Sequence, residues 1–208
     1  GVSAANVKKI TLAESASVGS CTAENGDALY LTAPNGKDWP GNGNFFANGG
    51  SVDGDVVLGD HKDYPCTITG SGGTVFNGKV IVTAGSTIEK GRFNGEVINN
   101  GMISGGEFSG TVINSESGTI AKGVSVTTLK FIVTFDNEGT KTTEIVDQDS
   151  KLTAPSPAPT KDGYTLAGWY YDNNGSETEW SFDTDTVTRA MTLTAKWVKS
   201  YTVTYETS

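Results

Sequence analysis

Between Gly73 and Val126 the chain repeats one phrase three times, and that regularity constrains its fold more than any other feature. The phrases are Phe76-Asn77-Gly78-Lys79-Val80, Phe93-Asn94-Gly95-Glu96-Val97 and Phe108-Ser109-Gly110-Thr111-Val112. Each is answered by a second one: Ile88-Glu89-Lys90-Gly91, Ile103-Ser104-Gly105-Gly106 and Ile120-Ala121-Lys122-Gly123. From phenylalanine to phenylalanine the steps are 93 − 76 = 17 and 108 − 93 = 15 residues. A partly degenerate copy precedes them as Val52-Asp53-Gly54-Asp55-Val56, answered by Ile68-Thr69-Gly70. Self-similarity at a near-fixed short period is the signature of a repeat architecture.

Two architectures compete for these repeats. Asn-Gly between alternating runs is a strong hairpin signal and would give an antiparallel meander. Against it, each unit carries two different glycine corners and the units recur in the same sense. Parallel stacking places Phe76, Phe93 and Phe108 in one ladder. It puts Val80, Val97 and Val112 in a second and Ile88, Ile103 and Ile120 in a third. Alternation turns Phe76, Val80 and Val82 inward and Asn77, Lys79 and Ile81 outward. The favoured reading is an all-β chain whose residues 51–129 form a short right-handed β-solenoid. The Asn-Gly, Ser-Gly and Asp-Gly pairs are expected to supply the left-handed backbone of tight corners. Asn99 and Asn114 fall at equivalent positions and are expected to form a small amide ladder. An open solenoid end invites aggregation, so something should cover the last rung near Val126.

Glycine supports this class: 27 of 208 residues, above the usual share of about 7%. Residues 1–50 are punctuated by Asn25-Gly26, Asn35-Gly36, Pro40-Gly41-Asn42-Gly43 and Gly49-Gly50. They are expected to form the solenoid's N-terminal cap, with Trp39, Phe45 and Phe46 as its apolar plug or, alternatively, as an exposed ligand-binding patch. Cys21 and Cys66 are the only cysteines. They fit a secreted disulfide or a pair of inert buried thiols, and the sequence leaves both open.

Past Thr127–Lys130 the repeat stops, prolines appear and aromatic residues become denser. Residues 130–198 open with Phe131-Ile132-Val133-Thr134-Phe135-Asp136 and continue through Pro155, Pro157 and Pro159 to Lys161-Asp162-Gly163-Tyr164-Thr165. Gly168-Trp169-Tyr170, Trp180-Ser181-Phe182-Asp183 and Leu193-Thr194-Ala195-Lys196-Trp197 follow. This order resembles the Listeria–Bacteroides repeat, the internalin B-repeat family. The resemblance covers one whole module and implies a small β-grasp-like fold, found in tandem on bacterial surface and secreted proteins as a spacer or interaction unit. Met191 and the sparsely apolar region around Ile145-Val146 depart mildly from the family pattern. Independently of the family, Trp169, Trp180, Trp197, Tyr164, Phe135 and Phe182 could furnish most of a core for so short a unit. The tail, Tyr201-Thr202-Val203-Thr204-Tyr205-Glu206 in residues 199–208, resembles the opening strand of a further copy. A linker or an edge strand of the same module is the alternative.

The net charge of −9, from 24 acidic and 15 basic residues, argues against a nucleic-acid or anionic-membrane surface. No apolar run approaches the ~18 residues a membrane helix needs, so no membrane insertion is expected. Neither a signal peptide nor a wall-sorting pattern is present, and Gly1 reads as the remnant of a removed tag. His61 is the sole histidine and has no partner in sequence for metal or nucleophilic chemistry. Asp53, Asp55, Glu96 and Glu107 are the carboxylates to weigh for sugar cleavage, but the matching positions of other rungs vary freely. Asp136-Asn137-Glu138-Gly139 and Asp172-Asn173-Asn174-Gly175 suggest calcium loops yet lack the remaining ligands, and read as turns.

Three functions follow in order. The first is a non-enzymatic bacterial surface or secreted module for display, spacing or adhesion, meeting a host or extracellular-matrix protein or a glycan. The second is a glycan-binding module using Trp39, Tyr170 and Tyr171. The third is a carbohydrate-active solenoid. No catalytic residue, metal or cofactor is assigned, and a monomer is expected.

Overall fold

A computed structural model describes residues 49–59, 65–69 and 73–201, together with Phe45 and the backbone of five short strands within the first 46 residues. The chain divides into two compact units, Gly1–Lys130 and Phe131–Ser208. Strands make up the regular structure of both, and no helix occurs among the described residues.

The first unit is a β-solenoid of about four turns, each turn contributing one strand to each of three columns. The first column holds Ser51–Val52, Val75–Phe76, Arg92–Phe93 and the start of Glu107–Asn114. Asp55–Leu58, Val80–Val82, Val97–Asn99 and the end of Glu107–Asn114 make the second. Cys66–Thr69, Thr87–Ile88, Met102–Ile103 and Thr119–Ile120 make the third. All these pairings are parallel, which excludes the meander. Registers match the sequence ladders: Val52, Phe76, Phe93 and Phe108 align, as do Val56, Val80, Val97 and Val112, and Ile68, Ile88, Ile103 and Ile120.

The first 50 residues, expected as a cap, carry strands of these same columns, with Val18 aligned to Val52, Leu29 to Val56 and Phe45 to Ile68. Phe45 is fully buried and stands in the isoleucine column between Ile10 and Ile68, whereas Trp39 and the Phe46 side chain lie outside the described residues.

Parallel stacking at the ~4.8 Å strand spacing brings like side chains into face contact. The Phe76 and Phe93 rings stack at 4.8 Å and 6°, and Phe93 and Phe108 at 4.9 Å and 11°. Each fully buried ladder residue contributes roughly 1.5–3 kcal/mol, so the stack, not the single rung, is the stable entity.

Glycine at the Phe-x-Gly corner has a different cause from the one expected. Gly78, Gly95 and Gly110 do not adopt positive φ. They pack directly on one another from rung to rung, so a Cβ on Gly95 would lie 2.6 Å from the Gly78 carbonyl carbon and 2.7 Å from the Asn77 oxygen. Left-handed backbone occurs instead at the answering phrase, at Gly91 (φ 125°) and Gly106 (φ 107°).

The expected amide ladder forms. Asn99 is fully buried and its Nδ2 donates to Asn114 Oδ1 at 2.6 Å, while its own Oδ1 accepts from the Gly101 N–H at 3.2 Å. Ile120 of the last rung, and Val124, Val126 and Leu129 beyond it, pack against the buried cluster. Thr127 Oγ1 also donates to the Phe108 carbonyl at 2.9 Å, so the apolar column is covered where the sequence required it.

The second unit is one mixed sheet. Thr140–Asp147 lies beside Val126–Asn137, which pairs in parallel with Met191–Lys199. Met191–Lys199 is antiparallel to Tyr164–Asn173, and that strand to Ser176–Glu179. Both suspected calcium loops are two-residue hairpin turns: Glu138-Gly139 and Asn174-Gly175 have positive φ, as the strand twist demands. Asp136 Oδ1 accepts the Gly139 N–H at 2.7 Å, and Asp172 Oδ1 accepts that of Gly175 at 2.6 Å.

Trp169, Trp180 and Phe135 are buried, as are Val133, Met191 and Leu193. Tyr164 departs from the expected core: it is 39% exposed, near the end of its strand and before the register shift between Leu166 and Gly168. Trp197 and Phe182 are half-buried. Ser200 N–H reaches the Gly163 carbonyl at 2.8 Å; the rest of the tail, 202–208, lies outside the described residues.

Candidate functional site

The solenoid's outer carboxylates are engaged by neighbouring rungs. Asp53 Oδ1 accepts from Asn77 Nδ2 at 2.6 Å, Asn77 Oδ1 from Asn94 Nδ2 at 2.9 Å, and Asn94 Oδ1 from Ser109 Oγ at 2.8 Å. Asp55 Oδ1 accepts the Lys79 backbone N–H at 2.8 Å. Glu96 pairs with Lys79 at 3.4 Å and Glu107 with Arg92 at 3.2 Å. Such exposed pairs are worth ~0–1 kcal/mol each; they align rungs and offer no free acid–base couple.

Chemistry of another kind gathers on the second unit, around the strand Tyr164–Asn173. Alternation along a strand sends successive side chains to opposite faces. Trp169, Tyr171 and Asn173 therefore share one face, and Gly168, Tyr170 and Asp172 the other. The two tyrosines, adjacent in sequence, do not form one aromatic platform.

On the Tyr170 face the cross-strand partner is Glu179, whose carboxylate lies so close over Gly168 that a Cβ there would sit 2.6 Å from Oε1. Lys196 pairs with Glu177 at 2.6 Å. Partial burial of the phenol, with the Glu179 carboxylate beside it, raises the Tyr170 pKa above the ordinary value of 10.0, Lys196 opposing. A recess of about 310 Å³ is bounded here by Tyr170, Tyr171, Asp172, Glu177 and Thr194.

On the opposite face the rings interlock. Phe135 meets Trp169 edge-on at 5.0 Å, and Tyr171 meets Trp180 edge-on at 5.9 Å. Arg189 places its guanidinium 5.7 Å from the Tyr171 ring centre while Nη2 donates to the Asp172 carbonyl at 2.6 Å. Asp185 Oδ2 accepts the Ser181 N–H at 2.9 Å and folds the polar turn after Trp180. Between these groups lies a second recess of about 330 Å³, bordered by Tyr171, Trp180, Asn173, Asp185, Thr188 and Arg189 among others. Trp197 Nε1 has its acceptor, Asn137 Oδ1 at 3.2 Å. Trp180 Nε1 is buried and has none among the described residues.

Trp180 and Arg189 were not singled out as site residues from sequence. The one available signal is a tryptophan set directly before the polar run Ser181-Phe182-Asp183-Thr184-Asp185-Thr186. Cys66 is buried in the solenoid core and its N–H donates to Ser86 Oγ at 3.0 Å; its candidate partner Cys21, like His61, lies outside the described residues. Among the described residues no three His, Cys, Asp or Glu side chains could hold a metal ion, and no helix is long and apolar enough to cross a membrane.

Residues 131–196 match the Listeria-Bacteroides repeat domain. The Gly-Trp-Tyr and Leu-x-Ala-x-Trp motifs of the matched segment lie on the two adjacent strands that border the recesses.

The chain is also similar to Internalin H of Listeria monocytogenes, 36% identical over 92 residues, 43% of this chain and 16% of that protein. Two Evansella cellulosilytica proteins are 39% identical. One, provisionally named a Gly-rich membrane protein, aligns over 82 residues, 38% of this chain and 9% of its own length. The other, provisionally named a membrane protein, aligns over 79 residues, 36% and 12%. The matched segments are thus small parts of much longer relatives.

Proposed function

We propose that the chain is a piece of a bacterial surface or secreted protein, non-enzymatic, in which a solenoid and a B-repeat-like module serve as spacer and interaction units. The observation that carries this reading is the Listeria-Bacteroides repeat at 131–196, with relatives named as an internalin and as membrane proteins. The strand order of the second unit, with its first and last strands parallel and adjacent at the centre, supports treating that unit as a helix-free β-grasp. Antibodies raised against residues 1–208 test the location. Labelling of intact producing cells or their medium is expected, and labelling only after lysis would overturn the reading. Binding of the whole chain to arrayed extracellular-matrix proteins tests the adhesin role.

A second reading, glycan binding by the second unit, is favoured by the recess beside Tyr171 and Trp180, which Asn173, Asp185 and Thr188 border with hydrogen-bonding groups. A glycan array probed with the whole chain tests it.

A further inference from the structure

We infer that the recess between Tyr171, Trp180 and Arg189 is the seat of one neutral pyranose ring, with the Trp180 indole N–H as a donor that the sugar satisfies. This deepens the glycan-binding reading and rests on it. The surface-module reading stands or falls separately.

The starting observation is the stranded indole. Trp180 is 5% exposed and its Nε1 finds no acceptor among the described residues. A buried donor left unsatisfied costs about 1–3 kcal/mol, and such groups in folded proteins usually mark a missing partner. The neighbouring recess, about 330 Å³, is far larger than the ~30 Å³ one water occupies in the liquid. It falls at the lower end of small-molecule pockets, about 300–1,000 Å³.

The lining selects the ligand class. Asn173, Asp185 and Thr188 offer acceptors and donors together. An apolar ligand would strand these groups. An anion would meet the Asp185 carboxylate, while the cation of the lining, Arg189, is already placed over Tyr171 and bonded to the Asp172 carbonyl. A neutral polyhydroxylated ring both donates and accepts. Because Nε1 is closed to bulk water, a rim side chain must yield on entry. The exposed threonines of the rim, Thr184, Thr186 and Thr188, are the groups with the freedom to do so.

The test uses the full chain labelled with ¹⁵N. Its four tryptophans give separate indole N–H signals, and Trp180→Phe identifies the relevant one. Glucose, galactose, mannose and N-acetylglucosamine are each titrated to high millimolar concentration, with acetate as the anionic control. At least one sugar is expected to shift the Trp180 indole signal saturably downfield while the Trp197 signal stays in place. Thr188→Val, which removes a rim hydroxyl and keeps the shape, should weaken that binding several-fold.

A Trp180 signal unmoved by every sugar overturns the inference, and so does one moved by acetate alone. If Trp180→Phe does not fold, loss of the effect in Thr188→Val still decides. A hit on the glycan array with a silent Trp180 signal would sink this site but leave glycan binding itself intact.

Discussion

The close approach of Gly78, Gly95 and Gly110 gives the sharpest test of how the solenoid is held together. In Gly95→Ala the new methyl would lie 2.6 Å from the Gly78 carbonyl carbon and 2.7 Å from the Asn77 oxygen, against an ordinary contact of 3.4–4 Å. The obstacle is backbone on the adjacent rung, so the rungs must part locally by about an ångström. That strains the Asn94 N–H bond to the Phe76 carbonyl (2.8 Å), the Asn94–Asn77 amide bond (2.9 Å) and the Phe76–Phe93 stack. Two hydrogen bonds and one ring pair at ~0.5–1.5 kcal/mol each give about 3 kcal/mol. Gly123→Ala is the control. Its φ of 95° is left-handed but a Cβ there meets nothing within 4 Å, so only conformational strain of about 1–2 kcal/mol applies. Urea unfolding of the full chain followed by circular dichroism should rank Gly95→Ala well below Gly123→Ala. Equal losses in the two variants would refute the close-packing argument and return both corners to a purely conformational explanation.

Phe93→Ala removes a ring that is 1% exposed and stacked on both sides. A loss of about 3–5 kcal/mol is expected, and hydrogen exchange should show faster opening of the strands bearing Phe76 and Phe108. Asn99→Ala strands the Gly101 N–H and the Asn114 side-chain Oδ1 in the interior, at about 1–3 kcal/mol for each. The added Asn114→Ala change should cost less than it does alone, a coupling that a double-mutant cycle would measure. Tyr170 should ionise above 10.0, since partial burial and Glu179 raise its pKa. Stability from this group is full below the unfolded-state pKa and lost as pH rises through the folded value. The difference in phenolate absorbance between wild type and Tyr170→Phe measures the shift, Glu179→Gln should reduce it, and a titration at or below 10.0 would contradict it.

Much of the solenoid was legible because its order is carried by residue type. Phenylalanine recurs at 76, 93 and 108 and isoleucine at 88, 103 and 120, and a parallel stack is what aligns both sets. The reason for Gly78, Gly95 and Gly110 was not legible. Asn-Gly reads locally as a left-handed corner, whereas the deciding contact comes from a carbonyl 15, 17 or 24 positions away in sequence. Phe45 hid its place for a related reason, since an aromatic ring gives no hint that it continues a column of isoleucines. In the second unit the motif residues Trp169 and Trp180 were found, but a pair written Tyr170-Tyr171 reads as one surface when strand alternation sends the rings apart. The unpartnered indole of Trp180 depends on which acceptors the fold brings near, and no spacing encodes that.

The buried amides also bear on how the chain finds its alignment. With columns of near-identical side chains, a rung that docked one step out of place would still satisfy most apolar contacts and most ladder bonds. The column running Leu58, Val82, Asn99, Asn114 breaks that degeneracy. Displaced by one step towards the N-terminus, Asn99 would face Leu58, and its Nδ2 would lose the Asn114 Oδ1 and Thr119 carbonyl acceptors of the next rung, at about 1–3 kcal/mol for each group left unsatisfied. The two asparagines thus act as an index mark, telling otherwise interchangeable turns which position each must occupy.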